Sequence, residues 1–430
     1  MPKSFVMFEM LNPMLLVAQE AKRRGMQIVV LNNSPLQHAG PFAVPDGFVD
    51  ELIHVESWSD TAAVEKLVLD VRDRHDVAGT YAGFEPALPY DAQLRELVGL
   101  PNNGAENLRS VLDKNSLRGR LREAGLTELG STTLDQALTW TEWPFPGRAV
   151  LKPANGTGSA CVFMVSSLDE LRAAVAEIEK VEIANPLMRD YIAGSGVYVL
   201  EAEARGELLS VESLVCRGEV HSIGLMGRYV LAKDPVVEMG FQFPYRHPRM
   251  QEVFALAKEF HRVLGFQNGA TQIEVMVPEE GTIELIDFNP RLGGTGKMVV
   301  FGQAYGVEYQ TYLADLGCGL TPDLDFPDHP VRYVGEHLLL PQPGVTRFDS
   351  IEFPEGTFCH RLPRPVGSEL SGRADQLDCV AFMLISAESA SAVQRVGLAA
   401  RRDTEVNGVP LGDNENNILA ASPYIGVDLP

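Results

Sequence analysis

The sequence predicts a protein of mixed α/β and α+β class, with an N-terminal parallel-sheet α/β domain, a central body and a C-terminal extension. Three observations predict it. The chain opens on apolar runs alternating with helical stretches, carries a glycine-rich loop directly after a mid-chain strand, and later presents a strand pair with acids and an amide on one face.

The opening is a β-α-β pattern. Phe5 to Phe8 is an apolar run, Met14 to Arg24 has helical spacing, Gly25 stands where a helix C-cap belongs, and Gln27 to Leu31 is a second apolar run. Such alternation implies a parallel sheet. No G-x-G-x-x-G occurs there, so nothing argues for a dinucleotide site. A helix over Thr61 to Arg74 and a strand over Val77 to Gly83 continue the pattern, and the turn-rich Leu100 to Asn107 reads as a boundary.

The middle of the chain starts with a helix holding Lys114, Leu117 and Leu121 and ending near Gly125. Strands follow at Ala149 to Lys152 and Cys161 to Val165, with the Gly-rich loop between them. Ser167 and Glu170 form a capping box for a helix whose stripe is Leu168, Leu171, Val175 and Ile178. Met188 to Val220 is strand-like, with Gly206 and Gly218 as hairpin turns. A helix over Met250 to Leu264 precedes strands Thr271 to Val277 and Thr282 to Asn289. Thr321 to Pro330 reads as a linker before a mixed region with a helix over Glu388 to Arg401.

Composition excludes several function classes. With 58 acidic against 36 basic residues the 430-residue chain carries a net charge of -22, and no compact Lys/Arg block interrupts it. Phosphate-backbone binding needs clustered cations, so neither nucleic acid nor an anionic membrane is expected as a partner. Five cysteines, odd in number and without a C-x-x-C pair, indicate neither a disulfide framework nor a zinc ribbon. Glu9, Asn12 and Pro13 interrupt the first apolar stretch, and no run approaches the ~18 apolar residues of a membrane span. The expectation is a cytoplasmic protein acting on small molecules, with a homodimer as a possible assembly.

The chemistry is densest in the strand pair. Alternation puts Asp287, Asn289 and Arg291 on one face and Ile286 and Phe288 on the other. On the partner strand Gln272 and Glu274 share a face. Folding the hairpin brings Glu274 beside Asp287 and Asn289. Two carboxylates and an amide oxygen are hard ligands suited to Mg²⁺, with Mn²⁺ as a substitute. Arg291 offers a bidentate fork to a phosphoryl or carboxylate group. In the Gly-rich loop, Asn155 to Ala160, glycines let backbone amides approach phosphate while Thr157 and Ser159 add donors, and Lys152 on the preceding strand supplies a charge.

In order, Asp113-Lys114, Leu151-Lys152-Pro153, the NGTGSA loop, and Glu274 followed by Asp287-Phe288-Asn289-Pro290-Arg291 resemble the ATP-grasp superfamily of carboxylate–amine ligases. The resemblance implies a division at 1–112 (N-terminal α/β), 113–187 (lid subdomain), 188–325 (metal and substrate subdomain) and 326–430 (C-terminal extension packing on the grasp domain). It also implies ATP and magnesium as cofactors. Lys114 and Lys152 would meet the ATP phosphates. Thr157, Gly158 and Ser159 would form the mobile lid. Arg189, Asp190, Tyr191 and Ile192, after Met188, would be the hinge strand that reads adenine. Glu274, Asp287 and Asn289 would bind the metal, and Arg291 and Lys152 would be catalytic. Gly196 stands where the family has a ribose-binding acid; either Glu201 substitutes or the ribose is held otherwise. Gln272 replaces a common histidine, and Asp287 a glutamate.

For the second substrate, the stretch Gly224 to Pro244 resembles the acceptor-pocket lining of amino-acid ligases. Arg228, Lys233 and Glu238 are candidates there, although a surface loop with solvated charges fits the same residues equally well. Gly293 and Gly294, with Thr295 and Gly296, are candidates for holding a carboxylate by backbone amides, or are a plain turn. His221 is a weaker candidate for the site. The C-terminal region resembles the extension of L-amino-acid ligases that make dipeptides. The implied reaction is ADP-forming: a carboxylate is activated as an acyl phosphate and joined to an amine, amino acid to amino acid. A carboxylase-type enzyme using bicarbonate and a non-catalytic nucleotide-binding regulator are the alternatives.

Overall fold

The computed structural model describes residues 2–38, 40–156, 161–178, 180, 191–192, 196–294, 296–372 and 378–428. Its N-terminal sheet is parallel, in the order β3-β2-β1-β4, from Lys3–Phe8 (β1), Gln27–Asn32 (β2), Glu51–His54 (β3) and Asp76–Ala82 (β4). The two central strands are buried almost throughout. That is why they read as continuous apolar runs: helices Leu15–Arg23 (α1), Thr61–Arg74 (α2) and Leu88–Leu97 (α3) cover the sheet.

Helices Ala105–Leu112 (α4) and Lys114–Glu123 (α5) then lead out of this domain. Asp113 accepts the Ser116 amide at 2.7 Å, an N-cap that sets Lys114 at the first position of α5. A small antiparallel sheet follows, in the order β5-β8-β6-β7, from Ser131–Thr133 (β5), Ala149–Pro153 (β6), Phe163–Val165 (β7) and Tyr198–Ala202 (β8). Leu151, Val165, Leu171 and Leu200 form its core. The division expected at 187/188 therefore cuts through this sheet, since Tyr198–Ala202 pairs with Ala149–Pro153.

The large sheet is antiparallel throughout. Strands Glu207–Cys216 (β9), Glu219–Leu231 (β10), Asp234–Tyr245 (β11), Gly269–Val277 (β12), Glu284–Asn289 (β13) and Tyr333–Leu339 (β14) lie in the order β13-β12-β9-β10-β11-β14. The strands Ala381–Ala387 and Phe358–Arg361 extend it further, and Leu419–Ala421 pairs with β10. The C-terminal residues thus continue the central sheet by backbone hydrogen bonds.

Gly218 does turn the β9–β10 hairpin, but Gly206 does not turn one. β8 and β9 belong to different sheets, so residues 203–206 are the crossing between them. At Gly206 (φ +127°) an added Cβ would meet the Val277 carbonyl oxygen at 2.5 Å, so the crossing passes too close to β12 for any side chain.

Behind the large sheet the helix Met250–Val263 packs on β9 and β10. His261 packs edge-on against Phe266 and Phe288 and shares a hydrogen bond with the Thr271 hydroxyl at 2.8 Å. Burial pushes its pKa down to about 4, so it is a neutral packing residue. Among the described residues no helix is long and apolar enough to cross a membrane.

Candidate active site

A cavity of about 750 Å³ opens between the small and large sheets. Across the β12–β13 ladder Glu274 pairs with Asp287 and Gln272 with Asn289, while β9 places Ser210 opposite Glu274 and Glu212 opposite Gln272. The ladder slips one residue after Glu274, because Ile286 is an extra residue on β13. This β-bulge corrects the strict alternation expected from sequence: Ile286 lines the cavity together with Asp287, while Phe288 stays buried behind.

Glu274 receives Arg228 Nη2 on Oε1 at 2.7 Å. Arg228 is only 3% exposed, and its guanidinium also reaches Ser210 Oγ and Glu238. Burial works against the guanidinium charge, but Glu238 and Glu274 outweigh it and raise the Arg228 pKa. The Glu274 pKa is raised, first by burial and further by Glu238 and Asp287, against the pull of Arg228. Glu238, Glu274 and Asp287 share Arg228 and Lys114 here, an excess of negative charge that a divalent ion corrects. Asn289 donates its amide nitrogen to Gln272 Oε1 at 3.4 Å, which suits its oxygen to a metal. Among the described residues no three Asp, Glu, His or Cys side chains make a metal cluster of their own. The residues therefore fit Mg²⁺ held by one or two carboxylates and an amide, with phosphate oxygens and water completing the shell.

The cations come from three directions. Lys114, at the start of α5, points Nζ at Asp287 (3.5 Å) and donates to the Gly156 carbonyl at 3.2 Å. Lys152, on β6, pairs with Glu201 at 2.8 Å and donates to the Ile286 carbonyl at 3.3 Å. Arg118 forks onto the same Glu201 (3.1 and 2.9 Å) and donates to the Leu285 carbonyl. Glu201 is buried, which alone would raise its pKa, yet Lys152 and Arg118 hold it down at about 2. Arg291, after β13, pairs with Glu85 of the N-terminal domain and donates to the Leu292 carbonyl at 2.8 Å.

Gly293 follows at a point where a Cβ would lie 2.6 Å from Glu212 Oε1, so only glycine fits between β13 and the buried acid. Its amide faces Glu212 Oε2 at 3.5 Å. Burial raises Glu212 to about 7, opposed chiefly by Lys297, and its Oε1 has no hydrogen-bond partner. Beyond this turn the cavity wall passes to Lys297, Glu336, Leu338, Arg361 and Phe382.

Residues 145–298 match the family model described as an ATP-grasp domain. The chain carries an ATP-grasp domain. The fold as a whole is shared with an L-amino acid ligase from Bacillus licheniformis at 19% identity, covering 94% of this chain and 98% of that one with a TM-score of 0.75. A phosphoribosylglycinamide synthetase from Anaerococcus prevotii is similar at 13% identity over 94% and 99%, TM-score 0.68. So is the biotin carboxylase domain of the Hydrogenobacter thermophilus 2-oxoglutarate carboxylase, a dimer in complex with MgADP and bicarbonate, at 16% over 94% and 91%, TM-score 0.68. No curated protein sequence matches the chain.

Against the ATP-grasp expectations, the structure brings Lys114, Lys152, Arg228, Glu238, Glu274, Asp287, Asn289, Arg291, Gly293 and Gly294 to one cavity. Thr157, Gly158, Ser159, Arg189, Asp190 and Thr295 lie outside the described residues. Tyr191 and Ile192 are helical, not a hinge strand, with Tyr191 stacked on Phe84 and Ile192 buried. The segment beside Lys152 is instead Glu201 to Ala204, which lines the cavity at the crossing between sheets. Glu201 pairs with both Lys152 and Arg118 and so anchors those cations at the cavity. Lys233 lines the cavity but holds Asn416 (2.9 Å) and Glu415 (3.2 Å). His221 is half-exposed beside Glu219, away from the cavity.

Sequence reasoning missed Glu85, Arg118, Glu212, Lys297, Glu336 and Arg361. Glu212 had a local signal: Ser210 and Glu212 alternate with apolar Leu209 and Val211 on β9. The others are placed by packing between segments far apart in the chain.

Proposed function

We propose that this ATP-grasp protein is an ADP-forming carboxylate–amine ligase that joins one amino acid to another. The observation that supports it is the convergence of Lys114, Lys152 and Arg291 with Glu274, Asp287 and Asn289 on a single cavity that continues past the glycine turn into a second, mixed-charge end.

ATP fits with its base between Val150, Met164, Leu208, Met276 and Ile286, an apolar end bordered by Glu201 to Ala204, and its phosphates toward Lys114 and Lys152. Magnesium, when bound, neutralises phosphate charge and orients the γ-phosphoryl group. Glu274, Asp287 and Asn289 would hold it. Arg291, oriented by Glu85 and the Leu292 carbonyl, faces the oxygen charge that builds up during transfer. A donor carboxylate oxygen bonds to the γ-phosphorus as the bond to the bridging oxygen breaks, giving acyl phosphate and ADP. The acceptor amine then attacks the acyl carbon, loses a proton, and phosphate leaves. A closed cavity keeps water from the acyl phosphate.

The test is ADP release across a panel of amino-acid pairs, with products read by mass spectrometry. Pair-dependent ADP and a dipeptide are expected. ADP release that requires bicarbonate and no amino acid would turn the assignment to a carboxylase, and no stimulation by either would overturn enzymatic ligation.

A further inference from the structure

The far end of the cavity holds an unusually placed cation. Lys297 opens the helix Lys297–Tyr305, is 5% exposed, and lines the cavity. Its ammonium lies 3.0 Å from the centroid of the Phe241 ring and, among the described residues, makes no ion pair. Both features cost free energy. A lysine at a helix N-terminus opposes the helix dipole, and a buried ammonium without a counter-ion loses its hydration. Burial accordingly lowers its pKa, while Glu336, Glu238 and Glu212 act from longer range to raise it and Arg228 to lower it. An anionic group seated at Lys297 would remove both penalties, and the amides of the helix N-terminus would add to the attraction.

We propose that Lys297 binds the carboxylate of the acceptor substrate, so that the acceptor is an α-amino acid and not a simple amine; this rests on the ligase reading above. The surroundings favour a zwitterion over a phosphate. Glu238 and Glu336 flank the position and would repel a multiply charged anion, but they match an ammonium a few ångström from the carboxylate. Leu338 and Phe382 on the neighbouring strands offer apolar surface to the side chain.

Two measurements separate this proposal from the ligase reading. ADP release by the wild-type protein with amino-acid pairs tests ligation alone. For the subsite, protein loaded with MgADP is titrated calorimetrically with L-leucine, L-phenylalanine and their carboxamides, in wild type, Lys297→Met and Lys297→Arg. Wild type should prefer acid over amide at least tenfold, Lys297→Met should lose most of that preference at a melting temperature no lower than that of wild type, and Lys297→Arg should keep part of it. In turnover, Lys297→Met should raise the acceptor KM at least tenfold and leave the donor KM within twofold. An acid-over-amide preference that is absent from wild type or intact in Lys297→Met overturns the proposal, as does a shift in the donor KM alone.

Discussion

Glu274 uses one oxygen for Arg228 and faces Asp287 with the rest of its carboxylate, so the two acids are not interchangeable with their amides. Asp287→Asn and Glu274→Gln should each lower the rate of ATP-dependent turnover at least 100-fold with little change in melting temperature, since mutations that remove charge stabilisation of a transition state cost roughly 3 kcal/mol or more. Full activity in both variants would remove the metal assignment. Two other buried acids should respond to pH in opposite senses. Glu201 is held at about 2, below the ordinary 4.5, so its stabilisation is present above pH 4.5 and lost as pH falls toward 2. Glu212 is raised to about 7, so its contribution is present below pH 4.5 and lost as pH rises through 7. Melting curves should therefore show Glu201→Gln destabilised at pH 7, with the gap narrowing at pH 3. Glu212→Gln should be stabilised at pH 8 by at most about 3 kcal/mol and near wild type at pH 4.5. The convergence of Glu274, Asp287 and Asn289 was legible because the three residues lie within one short hairpin. Lys297 and Glu336 were not, because their arrival at one cavity depends on how β11, β14 and a helix pack.

At the scale of elements, the site is built at the places where regular structure is interrupted. The bulge at Ile286 turns a main-chain carbonyl toward Lys152, and the crossing at residues 203–206 delivers Glu201 to Ala204 to the cavity. Gly293→Ala should impair activity strongly and lower stability by about 1–3 kcal/mol, because its methyl group would press on both Gln272 and Glu212. Urea titration and ATP turnover on the same preparation would show it; a variant with wild-type values in both would mean the turn gives way freely. Periodicity marked the helices and the pair β12–β13, but not β10 beyond Val220 or β11, which read as a pocket-lining stretch or a surface loop. It could not mark the bulge, which is a property of register between two strands. It also misread Tyr191-Ile192, because a short apolar pair carries no period.

For the molecule as a whole, the N-terminal domain is fastened to the body through Arg95. This buried guanidinium donates to the carbonyls of Pro101 (2.6 Å), Leu316 (2.8 Å) and Gly317 (3.1 Å), the last two at the end of the helix Tyr309–Gly317. A cation at a helix C-terminus also meets the negative end of its dipole. Arg95→Met should lower stability by about 3 kcal/mol, measured by chemical denaturation, since it strands several buried carbonyls at once. An unchanged midpoint would show that the domains hold together without it. The β-α-β opening announced the first domain clearly. Its docking was invisible in sequence because Leu316 and Gly317, the partners of Arg95 in the body, lie more than two hundred residues downstream.

The continuity of the large sheet sets an order of events while the chain is being made. β9 to β13 can pair as soon as they emerge, bringing Glu274, Asp287 and Asn289 together with the glycine turn. The strands Phe358–Arg361 and Ala381–Ala387 come well after β13 ends at Asn289, and Leu419–Ala421 must return to β10. Such distant pairings form slowly. The half of the cavity proposed for the nucleotide can thus take shape on a growing chain well before the wall proposed for the second substrate. Until that wall arrives, β14 is an open edge, and newly made protein is exposed to pairing with a neighbour there.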